Sequence, residues 1–440
     1  MKKRVLILGA GMVVQPMVDY LLENNMLVTV ASRTLQKAQK AIHGHQSGAA
    51  IGWTIDDLSS LETMVIANDL VVSLLPYTHH VAVAKLCIKH KTNMLTTSYV
   101  SEAMKALDSQ AKDAGIIILN EIGVDPGFDH MTAMRIIDKV HGKGGKIEAF
   151  YSLCGALAAP EALDNPFKYK FSWSPKGVVM AGNNNAKYLE NGKEVNKVTK
   201  DLFKDPLQID FPGVGPMEVY PNRDSLSYIE IYAIPEVQTM YRGTFRYKGW
   251  CEALDALKAL GLTSYDIYDL KSKSYSDFVV EVAGLEKGLE IKSAIASKYS
   301  ILSESPAMKA MEWLGLFSGQ PVHLEKGSPF DVISDLMIDK MMLGKSERDM
   351  VIMQHIFTVR KSNGDLEKIK SSLLDFGDSN YTSIAKTVAL PAAIGVKMIL
   401  DGKIDITGVH IPIKKEIYEP ILDELENLGL KMKEEYGLTA

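Results

Sequence analysis

Residues 4–14 run RVLILGAGMVV, and this stretch decides the fold of the first part of the chain. Arg4–Leu8 is continuously aliphatic after its first residue, which is typical of a strand that is buried on both faces. Gly9 and Gly11 follow at once, and a predicted helix begins behind them. Glycines at this point allow a tight turn and let backbone N–H groups approach a pyrophosphate. The residues expected to line a dinucleotide here are Gly9, Gly11, Met12, Val13 and Val14.

The third glycine of the usual dinucleotide fingerprint is replaced by Val14. The helix is therefore expected to pack less closely on the strand, or to be slightly displaced. A two-glycine motif alone is a weak signal that also occurs in purely structural turns. Its place at the first strand of a βαβ unit is what favours cofactor binding.

The next hundred residues alternate aliphatic runs with amphipathic stretches. Further strands are predicted at Leu27–Ala31, Leu70–Leu74, Asn93–Thr97 and Ile116–Leu119, with helices between them. This alternation predicts an α/β fold whose amino-terminal part is a Rossmann-type parallel sheet covered by helices.

The second predicted strand ends in Ser32-Arg33-Thr34, where NAD-selective proteins usually carry an acidic residue for the ribose 2′-hydroxyl. Two hydroxyls and a guanidinium suit the 2′-phosphate of NADP instead. The alternative is that Arg33 is only a solvated loop residue. Ligands of parallel sheets bind outside the carboxyl ends of the strands. Further contacts at the nicotinamide side are therefore expected from Leu75, Pro76, Thr97 and Ser98.

The remainder of the chain follows other patterns, which predict two more parts. Lys146–Leu153 is a predicted strand, and Asn363-Gly364 is a turn dipeptide between two further strands. Helical periodicity dominates residues 250–345. The predicted organisation is a cofactor domain at 1–125 plus about 415–440, a second α/β (α+β) substrate-binding and dimerisation domain at 126–249 plus about 346–414, and a helical insertion at 250–345.

Composition restricts the class of protein. The 440 residues are 46% hydrophobic, enough for at least two cores, and 49 basic against 54 acidic residues give a net charge of −5. Neither nucleic acid nor an anionic membrane is an expected partner. The basic start resembles a secretory signal, but Gly9 and Gly11 interrupt its apolar run, and the longest apolar stretch, Thr387–Leu400, is too short to span a bilayer.

Cysteine and histidine usage gives no sign of a metal. Cys87, Cys154 and Cys251 are widely spaced and form no CxxC pair, which argues against a disulfide framework and a zinc site and favours a reducing cytoplasm. His79 and His80 are adjacent, so they cannot share one helix face as metal ligands. A loop role, or a role behind the site, is expected for this pair.

Seven segments carry a resemblance to a known family. They are GAGMVVQP (9–16), SLLPYTHH (73–80), TTSYVS (96–101), NEIGVDPGFDH (120–130), DNPFKYKFSWSPKGV (164–178), YPNRDS (220–225) and RGTFRYKG (242–249). Together they resemble the saccharopine dehydrogenase family, most of all its glutamate-forming branch. The last three segments are far more specific than the nucleotide fingerprint, and the similarity is weakest between about Leu260 and Lys345.

The resemblance implies NADP(H)-linked interconversion of saccharopine with glutamate and 2-aminoadipate 6-semialdehyde, a step of lysine biosynthesis by the aminoadipate route. It also implies a homodimer and places Trp173 at the cofactor. Saccharopine carries three carboxylates, so a net-acidic protein needs locally placed arginines to hold it. The substrate-binding residues that the resemblance implies are Ser98, Tyr99, Asp125, Arg223, Thr244, Phe245 and Arg246. Without it, surface ion pairs would be the favoured role of Arg223, Arg242 and Arg246.

Two residues are candidates for acid/base catalysis. Asp125 follows a predicted strand at the edge of the cofactor domain, and its carboxylate could exchange a proton with the substrate amine or water. It could equally orient a substrate ammonium or cap the following helix. Cys154 is the second candidate, although a lone cysteine in an apolar strand is more often a core residue.

Two other functions remain open. Relatives with the same fold and cofactor could act on carboxynorspermidine or another polyamine conjugate, a substrate with fewer carboxylates. A non-catalytic NADP(H) sensor would keep the cofactor site and use the second domain for dimerisation or partner binding. An NADPH assay with glutamate and the semialdehyde separates all three.

Overall fold

A computed structural model describes residues 2–286 and 288–439. The chain forms two compact units. Unit 1 comprises Met1–Ile147 and Thr358–Ala440, and unit 2 comprises Glu148–Phe357.

The strands of the described residues are, in chain order, β1 (Arg4–Leu8), β2 (Leu27–Ser32), β3 (Gly48–Gly52), β4 (Leu70–Ser73), β5 (Asn93–Leu95), β6 (Ile117–Leu119), β7 (Lys146–Ala158), β8 (Ala186–Glu190), β9 (Lys193–Lys197), β10 (Leu207–Phe211), β11 (Gly215–Pro221), β12 (Thr239–Tyr247), β13 (Tyr268–Asp269), β14 (Lys326–Gly327), β15 (Asp349–Arg360), β16 (Leu366–Phe376), β17 (Gly408–His410) and β18 (Lys433–Leu438).

The α-helices of the same residues are α1 (Gln15–Glu23), α2 (Leu35–Ile42), α3 (Leu58–Ile66), α4 (His80–His90), α5 (Glu102–Lys105), α6 (Asp108–Ala114), α7 (Phe128–His141), α8 (Pro175–Ala181), α9 (Ser227–Ile231), α10 (Trp250–Ala259), α11 (Tyr275–Val282), α12 (Ile291–Tyr299), α13 (Pro306–Leu314), α14 (Pro329–Met341), α15 (Ser383–Leu400) and α16 (Lys415–Asn427).

Unit 1 contains the predicted parallel sheet, in the order β17-β6-β5-β4-β1-β2-β3. All of its neighbouring strands pair in parallel. The predicted fold class is confirmed, and the five predicted strands appear as β1, β2, β4, β5 and β6. The two edge strands, β3 and β17, were not predicted from the sequence. Both are short and glycine-containing, so they lack the aliphatic runs that mark the central strands.

Helix α15 packs against α1 and α16 within unit 1. By length and composition alone it could cross a membrane, but 72% of its most apolar window is buried inside the structure. Such burial is the property of a core helix of a folded unit. The carboxyl-terminal helix α16 also packs against α7, which lies in the same unit.

The boundaries of the compact units differ from those of the predicted domains. Residues 126–147 and 358–414 lie in unit 1 and not with residues 148–249. The reason is packing: α15 and α7 bury their apolar faces against α1 and α16, contacts between distant parts of the chain that periodicity does not reveal. Residues 250–345 are part of unit 2, where they contain α10–α14 and the pair β13–β14.

The sheet of unit 2 has the order β10-β11-β12-β7-β15, and β8 and β9 extend it from β12. Strands β7 and β12 run in parallel, whereas β10, β11 and β12 are antiparallel neighbours. Strand β7 approaches β12 closely at Gly155, where an added Cβ would lie 2.8 Å from the Cβ of Phe245. Glycine at this position therefore permits the strand pairing that carries the candidate substrate residues.

Candidate active site

The loop after β1 has the shape that a dinucleotide requires. Gly9 has φ of 113°, and a Cβ there would lie 3.0 Å from the carbonyl oxygen of Leu74, so glycine is needed on both grounds. A Cβ on Gly11 would meet no heavy atom within 4 Å. The surface above Gly11 is thus open, which leaves room for a pyrophosphate.

Helix α1 begins behind this loop. Its N-cap residue, Val14, supplies no side-chain hydrogen bond, so the helix start presents backbone N–H groups and the positive end of its dipole. The Val14 side chain is buried, with 4% exposed. Its contribution to cofactor binding therefore has to come from the backbone, whereas Met12 is exposed to a ligand.

The ribose side is formed by the end of β2. Arg33 and Thr34 are exposed, and the Thr34 N–H donates to Ser32 Oγ at 3.4 Å. Arg33 forms no ion pair with any part of the chain that the structure describes. Its guanidinium is therefore available to a phosphate, which fits NADP and not NAD.

Two polar side chains meet beyond the ends of β5 and β6. The Tyr99 hydroxyl donates to Asp125 Oδ1 at 3.2 Å, and both residues are half-buried. Helix α7 begins at Phe128 with Gly127 as its N-cap and no side-chain cap. Asp125 is not a helix cap, so that alternative is wrong, and its carboxylate instead forms a pair with the Tyr99 phenol.

His80 lies behind the same loops and is buried. Its Nδ1 lies 2.9 Å from Ser73 Oγ, and its Nε2 lies 2.9 Å from Ser98 Oγ and 3.2 Å from Thr96 Oγ1. Burial lowers the pKa of His80 to about 4, and the charge of His79 acts in the same direction. The ring is therefore neutral at pH 7 and holds the Ser98 hydroxyl in place.

The low pKa of His80 predicts acid sensitivity of unit 1. Between pH 6.5 and about 4 the unfolded chain binds a proton at this residue that the folded chain does not, so stability falls as pH falls. We expect the wild type to lose about 2 kcal/mol more free energy of unfolding between pH 7 and 4.5 than His80→Gln, which keeps a donor and an acceptor. Urea unfolding at both pH values measures this, and equal losses would contradict it.

In unit 2 the pairing register brings three predicted residues onto one face of the sheet. Thr244 and Arg246 are two residues apart in β12, so their side chains lie on the same face of the sheet. Cys154 of β7 is the register partner of Thr244. Tyr220 of β11 is the partner of Thr244 on the other side. The sequence-predicted Phe245 points the opposite way, is fully buried and packs edge-to-face on Phe211 at 5.5 Å.

Arg246 is buried, with 3% exposed, and aromatic rings surround it. Its guanidinium carbon lies 4.9 Å from the ring centre of Tyr169, 5.3 Å from Trp250 and 5.6 Å from Tyr220. One terminal nitrogen donates to the Phe245 carbonyl at 2.8 Å. The rings hold the guanidinium plane in a fixed orientation.

Several polar atoms in this region are buried and have no hydrogen-bond partner within residues 2–286 and 288–439. They are Arg246 Nε, the Tyr169 hydroxyl, Ser172 Oγ, Trp173 Nε1 and Trp250 Nε1. Buried polar atoms are almost always paired, so the N–H and O–H groups of Arg246 and of the two rings against it, Tyr169 and Trp250, fit an anionic ligand. Burial raises the pKa of the Tyr169 phenol, which keeps its hydroxyl protonated as a donor.

The other predicted residues have different surroundings. Arg223 lies after β11, is exposed and has φ of 52°, while Arg242 is buried with its guanidinium carbon 4.1 Å above the Tyr228 ring. Tyr169 and Trp250 were not predicted as site residues from the sequence. The aromatic density of DNPFKYKFSWSP was the available signal, but periodicity alone could not assign it to Arg246.

Comparison with known proteins gives the family. Residues 5–119 match the saccharopine dehydrogenase NADP binding domain, and residues 123–430 match the saccharopine dehydrogenase C-terminal domain. The chain belongs to the saccharopine dehydrogenase family. The resemblance stated from sequence motifs is confirmed, and so is the predicted use of NADP(H).

Some relatives of this saccharopine dehydrogenase family chain have about its length, and others are about twice as long. It is 39% identical to the NADP-dependent, L-glutamate-forming saccharopine dehydrogenase of Pyricularia oryzae, covering 98% of both chains. It is 40% identical to the mitochondrial alpha-aminoadipic semialdehyde synthase of Bos taurus over 98% of its own length. The chain spans about half of that synthase, 47% of its length.

Solved structures of known proteins agree with the family fold. The apo L-Glu-forming saccharopine dehydrogenase of Saccharomyces cerevisiae superimposes with a TM-score of 0.90 at 37% identity and covers 99% of both chains. A homospermidine synthase of Legionella pneumophila in complex with NAD has a TM-score of 0.58 at 11% identity, which shows a shared fold alone.

Proposed function

We propose that this chain is an NADP-dependent saccharopine dehydrogenase that forms L-glutamate. The observation that carries the proposal is Arg246, a buried guanidinium with an open Nε donor and no carboxylate partner in the described residues. Glu218, its cross-strand register partner, is buried but forms no ion pair with it in the described residues, so the guanidinium keeps a donor for an anionic substrate group. The proposal that this substrate is saccharopine is supported by relatives matched over 98–99% of their length, which are NADP-dependent, L-glutamate-forming saccharopine dehydrogenases.

The reaction consumes saccharopine, NADP and water and yields glutamate, 2-aminoadipate 6-semialdehyde, NADPH and a proton. NADP, when bound, supplies the acceptor for the hydride that leaves the carbon next to the secondary amine. Loss of the hydride and of the amine proton converts the carbon–nitrogen bond of the substrate into an imine. Water then adds to the imine carbon, and cleavage of the carbon–nitrogen bond releases glutamate.

Asp125 is the proposed acid/base group. Its carboxylate can take the proton of the amine or of the attacking water, and the hydrogen bond from Tyr99 orients it for this task. Cys154 is the weaker candidate because its thiol is buried in β7 beside Thr244. A thiol in that position serves better as part of the apolar wall of a site than as a base.

The proposed substrate contacts are of two kinds: arginines that bind carboxylates, and uncharged groups that form hydrogen bonds. Arg246 takes one carboxylate through its open donor, with the Tyr169 hydroxyl as a neutral second donor, and Arg223 takes another from its exposed position. Thr244 and the Ser98 hydroxyl contribute uncharged hydrogen bonds. A polyamine conjugate would leave part of this donor set unpaired, which favours a substrate with several carboxylates.

Product analysis tests the proposal. One glutamate and one NADPH are expected for each saccharopine consumed. Turnover of carboxynorspermidine but not of saccharopine would support the polyamine alternative, and NADPH binding without turnover of either compound would support the sensor. No formation of glutamate from saccharopine would overturn the proposed function.

The cofactor preference is tested at the end of β2. Arg33→Asp replaces a guanidinium by a carboxylate that repels the 2′-phosphate and can accept from the 2′-hydroxyl of NAD. We expect kcat/KM for NADP to fall about 10²-fold, as for the loss of a charge-assisted pair, and kcat/KM for NAD to stay equal or rise. Lys37→Asp, an exposed change on α2, is the matched control. An unchanged preference would mean that Arg33 is only a surface residue.

We further propose that the protein acts as a homodimer in the cytoplasm. The family resemblance supports the dimer, and Cys87, Cys154 and Cys251, which are buried and form no disulfide in the described residues, suit a reducing compartment. Light scattering of the purified protein distinguishes a mass of about 97 kDa, twice the 48.5 kDa of the chain, from that of a monomer.

A further inference from the structure

Glu121 forms hydrogen bonds with the backbone of Ser98 and of Val100, the residues before and after Tyr99. Its N–H donates to the Ser98 carbonyl at 3.1 Å, and its Oε1 accepts from the Val100 N–H at 2.9 Å. Glu121 is 4% exposed and has φ of 56°, a left-handed conformation that costs a non-glycine residue about 1 kcal/mol. Tyr99 is therefore held from both sides by one residue in an unfavourable conformation.

The second carboxylate oxygen of Glu121 is also engaged. Oε2 lies 2.8 Å from Nε2 of His130, a fully buried residue of α7. The carboxylate thus joins the loop after β5 to α7, through a part-buried hydrogen bond at Oε1 and a buried one at Oε2. A carboxylate that is hydrogen-bonded at both oxygens restricts the movement of its partners.

Glu121 is connected to both members of the proposed acid/base pair, Tyr99 and Asp125. Tyr99 donates to Asp125, and Asp125 follows Glu121 by four residues on the same loop. Glu121 therefore links the backbone beside Tyr99 to the segment that carries Asp125. The hydrogen-bond partners of its carboxylate are Val100 and His130, and no hydrogen bond joins it to Asp125 in the described residues.

We propose that Glu121 is a positioning residue, which sets the distance between the Tyr99 hydroxyl and the Asp125 carboxylate. This inference rests on the proposed function, because it assigns to Asp125 the proton transfer that Tyr99 supports. If Glu121 acted only on folding, its loss would weaken cofactor binding and stability as much as turnover. A positioning role acts on turnover through Tyr99.

The test is a double-mutant cycle of Glu121→Ala and Tyr99→Phe. Since misplacement of about 1 Å can cost up to roughly 100-fold in rate, we expect Glu121→Ala to lower kcat about 10-fold or more with little change in the Kd for NADPH. In the Tyr99→Phe background the same change should cost less than about 2-fold. Glu121→Gln keeps an acceptor for Val100 and should restore part of the lost kcat.

Two outcomes would overturn the inference: equal losses of kcat in both backgrounds, or a rise in the NADPH Kd that matches the fall in kcat. Glu62→Ala removes a partly exposed carboxylate paired with Lys89 and His90 and is the matched control. If Glu121→Ala does not fold, Glu121→Gln replaces it in the cycle; its loss of kcat should be smaller than that expected for alanine, and an equal loss in both backgrounds would again overturn the inference.

Hydrogen exchange separates this inference from the proposed function. Peptides covering residues 97–103 should lose protection in Glu121→Ala and keep it in Glu62→Ala, whether or not the wild type oxidises saccharopine. Unchanged exchange in these peptides would overturn the positioning role. A wild type that exchanges as expected but leaves saccharopine intact would overturn only the proposed function.

Discussion

Arg246→Lys is expected to lower kcat/KM for saccharopine roughly 10- to 100-fold, because a lysine ammonium cannot reproduce the planar donor set of the guanidinium. The positive charge remains, so the variant isolates geometry from charge. The Kd for NADPH should stay unchanged, since the dinucleotide loop of unit 1 is intact. Steady-state kinetics and a fluorescence titration with NADPH measure the two quantities.

The control for Arg246→Lys is Arg348→Lys, at an exposed arginine paired with Glu161. Circular dichroism and thermal unfolding show whether Arg246→Lys keeps the packing of Tyr169 and Trp250 around it. A folded Arg246→Lys variant with the kcat/KM of the wild type would show that no substrate carboxylate depends on this guanidinium.

Asp125→Asn should give the largest loss of turnover. The amide keeps the size of the side chain and its acceptor for the Tyr99 hydroxyl, but it cannot take up a proton. Loss of a general base typically costs about 10²- to 10⁴-fold in rate, and we expect kcat to fall within that range. Affinity for NADPH should change much less, because Asp125 supplies no part of the pyrophosphate loop.

The variant Asp113→Asn, at an exposed aspartate of α6, serves as the control for Asp125→Asn. A wild-type kcat in Asp125→Asn would remove the residue from the chemistry.

The fold of unit 1 was predictable because its central strands are buried on both faces. Such strands appear in sequence as continuous aliphatic runs. Gly9 and Gly11 indicate the turn between the first strand and the helix that follows it. The edge strands β3 and β17 were missed because edge positions need no such runs. The boundary of unit 1 was missed because the packing of α15 on α1 joins residues that are several hundred positions apart.

Residues of the candidate site were predictable where they directly follow a predicted strand. Tyr99 and Asp125 follow adjacent strands that end at the same edge of the sheet, so both could be assigned to the site, but their hydrogen bond was not predicted. The partners of Arg246 were not predictable, since Tyr169, Tyr220 and Trp250 come from three separate segments. Glu121 was visible inside NEIGVDPG, but only the structure assigns its two oxygens to Val100 and His130.

The central claim is that this chain oxidises saccharopine with NADP. Steady-state kinetics of the wild type on saccharopine, with NADP and NAD measured side by side, tests substrate and cofactor in one experiment. The account predicts turnover to glutamate with a kcat/KM for NADP at least about 10-fold above that for NAD, as expected for a charge-assisted contact with the 2′-phosphate. No turnover of saccharopine with either cofactor, or a clear preference for NAD, would contradict it.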